Sequence, residues 1–311
     1  MTAGTRPVRV AVASGKGGTG KTTVAVNLAA TAARRGIGVA YADCDVEEPN
    51  GHIYLHPRIE RTGPVTVPVP VIAADRCTGC RLCSRICAFN AVAVLADTAI
   101  VFPELCHGCG GCSLVCPADA VTETERETGM TESGTAGAVP GAPVPLGFVH
   151  GRLKIGEAMP LPVIRAVKRL IPPADLVFVD CPPGNACALV ESVTGSDLLL
   201  LVTEPTPFGV HDLDRVLDTA VEMSLPAAVV INRSGPADGL VLDLCGRRGV
   251  PVLACIPESR EWAVAGSNGL IAALEVPGAG ALMEGLLDEV LVLVSAEADL
   301  PDSTAGKGTS S

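Results

Sequence analysis

Short apolar runs and longer amphipathic segments alternate along most of the chain. The apolar runs, which suit buried strands, are Val10–Ala13, Val39–Ala42, Leu176–Val179, Leu198–Thr203, Ala227–Ile231 and Val250–Ile256. The amphipathic segments predict helices at Thr22–Arg35, Pro162–Leu170, Val210–Met223 and Ala279–Val294. Strands that alternate with helices in this way form a parallel sheet with helices on both faces. The pattern therefore predicts an α/β protein with a doubly wound, mostly parallel sheet.

A glycine-rich segment follows the first predicted strand and opens the first predicted helix. It comprises Gly15, Lys16, Gly17, Gly18, Thr19, Gly20, Lys21, Thr22 and Thr23. This order fits G-x-x-x-x-G-K-[ST], a phosphate-binding loop, in the strand-then-helix context that the pattern requires. Glycines let the backbone wrap a triphosphate with its N–H groups pointing inward. We expect Lys21 to reach the β- and γ-phosphates of ATP and the Thr22 hydroxyl to bind Mg²⁺, whereas a glycine-rich turn without a ligand fits this context poorly.

Two further predicted strands lead into aspartates. The second strand is followed by Asp43-Cys44-Asp45, and the third is followed by Asp180 and, four residues later, Gly184. Ligands bind at the carboxyl ends of the strands in a doubly wound sheet. Asp180 is expected to hold Mg²⁺ as a Walker B aspartate, and the Gly184 amide to lie near the γ-phosphate. The acidic pair could serve the metal, an attacking water or only the solvation of a loop.

Eight of the thirteen cysteines form an internal repeat. The first half has Cys77, Cys80, Cys83 and Cys87, and the second half, 29 residues further on, has Cys106, Cys109, Cys112 and Cys116. Each half has the spacing of a bacterial ferredoxin run, although the first ends in Cys-Ala rather than Cys-Pro. Thiolates in fours select Fe–S clusters or zinc, but zinc knuckles usually present cysteines in pairs. The spacing therefore favours two [4Fe–4S] clusters over zinc or disulfides.

Composition limits the classes of function. The 311 residues are 48% apolar and 3% aromatic, and the formal net charge is −11. That charge offers DNA no overall attraction, so we expect no nucleic-acid partner. No apolar run reaches the length of a membrane span, and the amino terminus does not have the regions of a signal peptide. We expect a cytoplasmic protein with no membrane partner, whose clustered cysteines bind metal.

Together these features resemble the MinD-superfamily P-loop ATPases (the MinD/ParA/Mrp and nitrogenase-iron-protein-like group) that contain an inserted two-cluster ferredoxin domain. The resemblance is carried by the deviant Walker A loop Lys16–Thr23, Asp43–Asn50, Asp180–Gly184, Glu204–Gly209, Asn232 and the cysteine repeat. It implies an ATP-dependent homodimer in which Lys16 reaches the partner's nucleotide, as an arginine finger does elsewhere. It also implies that Asp45 orients or activates the hydrolytic water, that Asp43 lies on the Mg²⁺ side and that Asn232 contacts adenine.

The resemblance to bacterial ferredoxins also implies a ligand set, because the fourth cysteine of each run binds the other cluster in two-cluster ferredoxins. Cys77, Cys80, Cys83 and Cys116 would then hold one cluster, and Cys106, Cys109, Cys112 and Cys87 the other. The remaining five cysteines suit buried positions. Cys187 alone lies where the nitrogenase iron protein similarly places a ligand for a cluster shared across its dimer, and a third, bridging cluster there stays open.

Changes in composition predict the domain boundaries. Residues 7–66 and 147–295 are expected to form a discontinuous ATPase domain, with a small α+β ferredoxin-like domain inserted at 70–121. Prolines near the first junction favour a linker or an edge strand. Residues 122–146 are rich in Thr, Glu, Gly, Ser, Ala and Pro and predict a partly mobile return linker. Residues 296–311 predict a disordered tail.

Three functions agree with this organisation. In the first, dimerisation and Mg²⁺-dependent ATP hydrolysis are coupled to electron transfer through two [4Fe–4S] clusters to an unknown redox partner. In the second, the protein is an Fe–S cluster or metallocentre assembly or carrier ATPase that serves a client protein. In the third, it is a regulatory or positioning ATPase whose clusters are structural or sense redox state. Complete cysteine ligation favours electron transfer over transfer of the cluster itself, so we expect the first.

Overall fold

The computed structural model of the protein describes residues 6–137, 139–184 and 186–298. The strands in these ranges are β1 (Val8–Ala13), β2 (Val39–Asp43), β3 (Arg58–Ile72), β4 (Val92–Leu95), β5 (Thr98–Val101), β6 (Val121–Thr135), β7 (Gly147–Leu153), β8 (Leu176–Asp180), β9 (Leu198–Thr203), β10 (Ala227–Ser234) and β11 (Val252–Pro257). All except β4 and β5 belong to one sheet, in the order β11-β10-β9-β1-β8-β2-β7-β6-β3. The strands from β11 to β7 are parallel, and β6 is antiparallel to both of its neighbours.

The chain has eleven α-helices in its described ranges. They are α1 (Lys21–Arg34), α2 (Gly51–Leu55), α3 (Leu82–Ile86), α4 (Gly111–Leu114), α5 (Leu161–Arg169), α6 (Cys187–Val193), α7 (Pro207–Glu222), α8 (Gly239–Arg248), α9 (Arg260–Ser267), α10 (Ala272–Glu275) and α11 (Ala279–Ala298). All except α3 and α4 pack around this sheet. Alternate residues of β1 pack in two different cores, with Val10 and Val12 on the side of α1 and α11 and Ala11 and Ala13 on the side of α5 to α8. The predicted doubly wound, mostly parallel α/β sheet is confirmed.

The predicted return linker is wrong for most of its length. Residues 121–135 form β6, which pairs with β3 from Ile72↔Val121 to Arg58↔Thr135. The linker was predicted from a composition rich in Thr, Glu and Gly, but threonine also favours β-strands. Three valines of β3 are buried: Val65 packs in the core of the main sheet, and Val67 and Val69 pack against Ala91 and Cys106. The prolines of β3 are tolerated because β3 is the edge strand of the sheet.

Part of the β3–β6 ribbon extends beyond the rest of the sheet. β7 pairs only with Gly129–Thr135 of β6, so residues 66–72 and 121–128 continue as a two-stranded arm. The arm leaves past Leu153, the carboxyl end of β7, because β6 runs antiparallel to β7. At about 3.4 Å per residue, the eight residues of β6 in the arm span roughly 27 Å.

The arm ends in residues 73–120, which we term the cysteine module. The Ala73 amide donates to the Ala120 carbonyl at 2.8 Å and closes its base. The module contains α3, the antiparallel hairpin β4–β5 and α4. The predicted boundary at residues 66–70 falls inside β3 rather than between two domains.

The carboxyl-terminal helix is longer than the sequence suggested. α11 continues to Ala298, so residues 296–298 of the predicted tail are helical. The rest of that prediction, residues 299–311, lies outside the described residues. Across the described part of the chain, no helix is both long and apolar enough to cross a membrane.

Candidate functional site

The phosphate loop connects β1 to α1 and is fixed from several directions. The Gly184 amide donates to the Ser14 carbonyl at 2.9 Å, and the Asn232 side-chain amide donates to the Thr19 carbonyl at 2.7 Å. Gly20 has φ +92°, and a Cβ atom there would overlap the Asn232 side chain. Glycine is therefore required at this position for both its backbone conformation and its size. Asn232, which the family resemblance linked to adenine, contacts the loop itself in this structure.

Lys21 lies at the start of α1 among carboxylates. Its Nζ atom is 2.6 Å from Asp45 Oδ2, and only 9% of the Lys21 side chain and 11% of the Asp45 side chain are exposed. Burial alone would lower the pKa of Lys21, but Asp180, Asp45 and Asp43 together raise that pKa above its ordinary value. The lysine is charged at every physiological pH, and it balances part of the negative charge at this edge of the sheet.

Asp43 is fully buried and holds the loop that follows it. Its carboxylate accepts backbone hydrogen bonds from Asp45 at 3.1 Å, Asn50 at 3.1 Å and Gly51 at 3.0 Å. Burial and the nearby Asp180 raise the pKa of Asp43 well above its usual range. Both oxygens of Asp43 are thus engaged by the loop, whereas Asp45 faces Lys21 in the cleft.

Asp180 ends β8 next to Asp43 in the register of the sheet. The Tyr41 hydroxyl donates to Asp180 Oδ2 at 2.8 Å, while Asp180 Oδ1 is buried and has no hydrogen-bond partner among the described residues. Burial raises the pKa of Asp180, although Lys21, Thr22 and Tyr41 oppose that effect. An unpartnered buried carboxylate oxygen beside Thr22 is an arrangement that a hard cation would satisfy. Tyr41 belongs to no recognised sequence motif, so its contact with Asp180 was not predicted.

Lys16 points away from this acidic centre. Its Nζ atom lies 3.1 Å from Glu204 Oε2, and the other oxygen of Glu204, Oε1, lies 2.6 Å from Arg233. The contacts of Glu204 and Arg233 were not predicted, since no spacing rule connects the loops that follow β1 and β9 to a residue on β10.

A cleft of about 1230 Å³ opens above the loop and the acidic centre. Its wall includes Gly17, Gly18, Lys21 and Asn232 and, on the far side, Trp262. A Cβ atom at Gly17 or Gly18 would meet nothing within 4 Å, so the backbone of the loop borders open space. Backbone N–H groups, a lysine and a helix N-terminus that face one cleft form a binding site for phosphate groups.

The cysteine module contains two separate pockets, each bordered by four cysteines. Cys77, Cys80, Cys83 and Cys116 line the first, and Cys87, Cys106, Cys109 and Cys112 line the second. Each set combines three cysteines of one run with the last cysteine of the other run. All thirteen cysteines of the chain have free thiols in this structure. Within residues 6–137, 139–184 and 186–298, no three His, Cys, Asp or Glu side chains converge closely enough to hold a single metal ion.

The backbone repeats the 29-residue period of the sequence. Left-handed conformations occur in matching pairs at Gly79 and Gly108, Arg81 and Gly110, and Asn90 and Asp119. The Ala91 and Ala120 amides, each four residues after the last cysteine of a run, donate to Cys87 Sγ and Cys116 Sγ, both at 3.3 Å. A third amide, that of Gly108, donates to Cys106 Sγ at 3.4 Å. Hydrogen bonds of this kind stabilise thiolates and tune metal–sulfur centres.

The other cysteines do not form such a pocket. Cys44, Cys181 and Cys245 are buried, whereas Cys187 and Cys255 are exposed. Cys187 begins α6, just after the segment that contains Gly184. Burial raises the pKa of the Cys44 and Cys181 thiols, which suits small apolar core residues.

The fold and this cleft define a P-loop nucleotide-binding protein. The CobQ/CobB/MinD/ParA nucleotide binding domain matches residues 10–272, and the chain belongs to that family. An uncharacterized protein of Methanocaldococcus jannaschii is 30% identical over 230 residues, which are 73% of this chain and 79% of the relative. An iron–sulfur cluster carrier protein of Pyrococcus abyssi is 57% identical over 42 residues, 14% of either chain.

Two solved structures share the fold. The cell division ATPase MinD of Pyrococcus furiosus superposes with a TM-score of 0.57 at 20% identity, over 93% of this chain and 100% of that one. The septum site-determining protein MinD of Pyrococcus horikoshii, complexed with Mg-ADP, gives a TM-score of 0.56 at 18% identity, over 95% and 100%. At 18–20% identity, these two likenesses show a shared fold and nothing beyond it.

Proposed function

We propose that the protein is a Mg²⁺-dependent ATPase that works as a homodimer and couples its nucleotide state to two [4Fe–4S] clusters in the cysteine module. The observation that carries this proposal is the arm. The arm leaves the sheet on the side where the parallel strands have their carboxyl ends, which is also where the phosphate loop, Asp45 and Asp180 lie. It ends in the two four-cysteine pockets. A movement of the nucleotide-binding loops therefore acts close to the base of the arm.

The residues of the cleft fit MgATP. The open backbone at Gly17 and Gly18 would hold the phosphates, and Thr22 and the unpartnered oxygen of Asp180 would hold the metal. Lys21 binds the phosphates only after it leaves Asp45, since the two side chains are now paired. That exchange frees the Asp45 carboxylate, which then accepts a hydrogen bond from the attacking water. Lys16, supplied by the second subunit, neutralises charge that develops on the phosphates.

The two pockets fit clusters better than single ions. A zinc ion needs its four ligands at about 2.3 Å from one point, whereas a cluster spreads its thiolates around a larger inorganic core. Four thiols border each pocket without converging on one point, and backbone amides donate to three of the sulfurs. The crossed membership of each pocket supports the crossed ligation that bacterial ferredoxins use. Bound clusters would supply one-electron transfer.

Side-chain contacts connect the arm to the nucleotide-binding loops. Glu132 of β6 accepts a hydrogen bond from His150 Nε2 at 2.7 Å, and His150 is almost completely buried. The His150 ring packs against the His52 ring with their centroids 5.4 Å apart. His52 belongs to α2, whose first residue, Gly51, is held by Asp43. The contacts run without a break from the acidic centre to the strand that supports the cysteine module.

A second candidate function is that of an ATPase that assembles or carries Fe–S clusters. The short similarity to an iron–sulfur cluster carrier protein favours it, as does the exposure of Cys80 and Cys109, the second cysteine of each run. A carrier must release its cluster to a client, and accessible ligands permit exchange. Complete ligation by four cysteines in each pocket favours retention, which is why electron transfer remains the first proposal.

An anaerobic redox titration separates the two candidates. The reconstituted protein is titrated with and without MgATP and followed by electron paramagnetic resonance. A shift in midpoint potential or spectrum on addition of MgATP is expected for a nucleotide-coupled electron carrier. An unchanged titration together with MgATP-dependent loss of iron to an apo-ferredoxin would favour the carrier function instead.

A further inference from the structure

Glu204 holds Lys16 on its own subunit. We propose that this ion pair is a latch that restrains ATP-dependent assembly, and that Glu204 is a positioning residue which must release Lys16 before the lysine can act on a second copy of the chain. The inference rests on the proposed function, in which Lys16 works across the dimer. It goes further because it names the contact on this chain that opposes dimer formation.

Glu204 is the fixed member of the pair. It connects β9 to α7, and its side chain is only 9% exposed. The start of α7 is held by a capping hydrogen bond, in which the Gly209 amide donates to Thr206 Oγ1 at 3.0 Å. Gly209 also packs so tightly on the Glu204 carbonyl that a Cβ atom there would overlap it. The carboxylate is thus presented from a rigid turn.

Lys16 is the member that can move. Its side chain is 34% exposed and lies on the phosphate loop, next to Gly17 and Gly18, where no Cβ contact restricts the backbone. Among the described residues Glu204 is its one ion-pair partner. An exposed lysine that is attached at a single point needs only to break one contact to reach outward.

Arg233 makes that release feasible. It contacts Glu204 Oε1, whereas Lys16 contacts Oε2, so the carboxylate keeps a cationic partner when the lysine departs. Without Arg233, departure of Lys16 would leave a nearly buried carboxylate unpaired, which is costly. Arg233 has φ +53°, an unfavourable conformation for an arginine, and it follows Asn232, which is bonded to the phosphate loop. Strained residues of this kind are typically held in place at functional sites.

This arrangement makes two opposite predictions. Glu204→Gln removes the charge that retains Lys16, so less ATP should be needed for assembly. Arg233→Gln removes the second partner of Glu204 and leaves Lys16 as its one cationic partner among the described residues, so more ATP should be needed. Glu191→Gln is the matched control, since Glu191 pairs with Arg165 at 2.8 Å on a different part of the surface.

The first measurement tests the contact alone. The full chain without nucleotide is treated briefly with acetic anhydride, and acetylation of Lys16 is followed by tandem mass spectrometry, with Lys154 as the internal reference. Loss of a partly exposed ion pair should increase Lys16 labelling roughly threefold to tenfold in Glu204→Gln. Arg233→Gln should decrease labelling, and Glu191→Gln should leave it unchanged. Equal labelling of Lys16 in wild type and Glu204→Gln would overturn the latch.

The second measurement tests the consequence. The ATP concentration at half-maximal dimer formation is determined by analytical ultracentrifugation with Mg²⁺ for the three variants and for Lys16→Ala, alongside ADP affinity by calorimetry. A decrease of roughly twofold to fivefold in Glu204→Gln at constant ADP affinity supports the proposal. An unchanged midpoint in Glu204→Gln, while Lys16→Ala prevents assembly, overturns the latch and leaves the proposed function intact. A wild type that stays monomeric in MgATP overturns both, even if labelling changes.

Discussion

Lys21 balances a buried acidic centre, and the substitution Lys21→Met measures how much. Methionine preserves the length and apolar contacts of the lysine stem but removes its charge. Asp43 and Asp180 then remain fully buried, and Asp45 nearly so, without a cation. Removal of one partner from a buried ion pair destabilises proteins by about 3–5 kcal/mol. We expect a loss of this size in the unfolding free energy of the nucleotide-free protein at pH 8.

The loss should depend on pH. Burial raises the pKa of both Asp43 and Asp180 in the folded state above the value in the unfolded chain. Protonation of these carboxyls therefore stabilises the fold at low pH, and this stabilisation is lost as the pH rises through the folded-state pKa. Lys21 lowers the pKa of both carboxyls in the wild type, so its removal raises both pKa values further. Below the wild-type pKa of each group the carboxyls are neutral in both proteins. The difference between wild type and variant should therefore shrink as the pH falls from 8 to 5.

Urea unfolding followed by the fluorescence of Trp262, the single tryptophan, provides the assay, because this residue packs against the core of the nucleotide-binding domain. Lys168→Met is the control. Lys168 is half-buried, but its Nζ atom donates to the backbone carbonyls of Glu191 and Thr194. Its substitution should cost stability with little dependence on pH in this range. Equal losses for Lys21→Met at pH 5 and pH 8 would refute the electrostatic reasoning.

Three further outcomes are expected. Tyr41→Phe removes the hydrogen bond to Asp180 Oδ2, so the free Mg²⁺ needed for half-maximal ATP hydrolysis should rise roughly threefold to tenfold; an unchanged Mg²⁺ profile would show that Tyr41 does not position the carboxylate. Cys116→Ala should lower anaerobically reconstituted iron from about eight to about four per chain, whereas Cys187→Ser should keep about eight; a loss in Cys187→Ser would indicate the bridging cluster. Gly20→Ala should weaken ADP binding roughly fivefold to 100-fold in calorimetry while the chain stays folded by circular dichroism, because its Cβ atom would displace the Asn232 side chain that is hydrogen-bonded to the loop; wild-type affinity would contradict the observed packing.

Local patterns were enough for the parts of the site that lie close together in the chain. The phosphate loop occupies consecutive residues, and its glycines, lysine and threonine are recognisable without any tertiary contact. The cysteine runs are similar, since their spacing and their period of 29 residues are properties of the sequence. The apolar runs that predicted strands β1, β2, β8 and β9 were accurate to within two residues, because strands buried on both faces have no polar interruption.

Tertiary structure decided which residues meet. Tyr41 and Asp180 are 139 positions apart, and Asn232 and Thr19 are 213 apart, so no local pattern connects them. Sheet order brings Tyr41 to Asp180, because β2 and β8 are adjacent strands, and it brings Asn232 on β10 near the loop that follows β1, because only β9 lies between those strands. The contact of Lys16 with Glu204 likewise depends on β1 lying next to β9.

The same distinction explains the mistaken linker. The composition of residues 122–135 is that of a solvated segment, and its threonines alone do not distinguish a strand from a linker. It becomes a strand because β3 on one side and β7 on the other supply hydrogen-bond partners along its length. The sequence by itself determined the chemistry of this protein, a phosphate loop and two sets of thiols. Only the pairing of distant strands decided that the phosphate loop and the arm with its thiols leave the sheet on the same side, at the carboxyl ends of the parallel strands. Strand order depends on the free energy of the whole fold and not on local sequence.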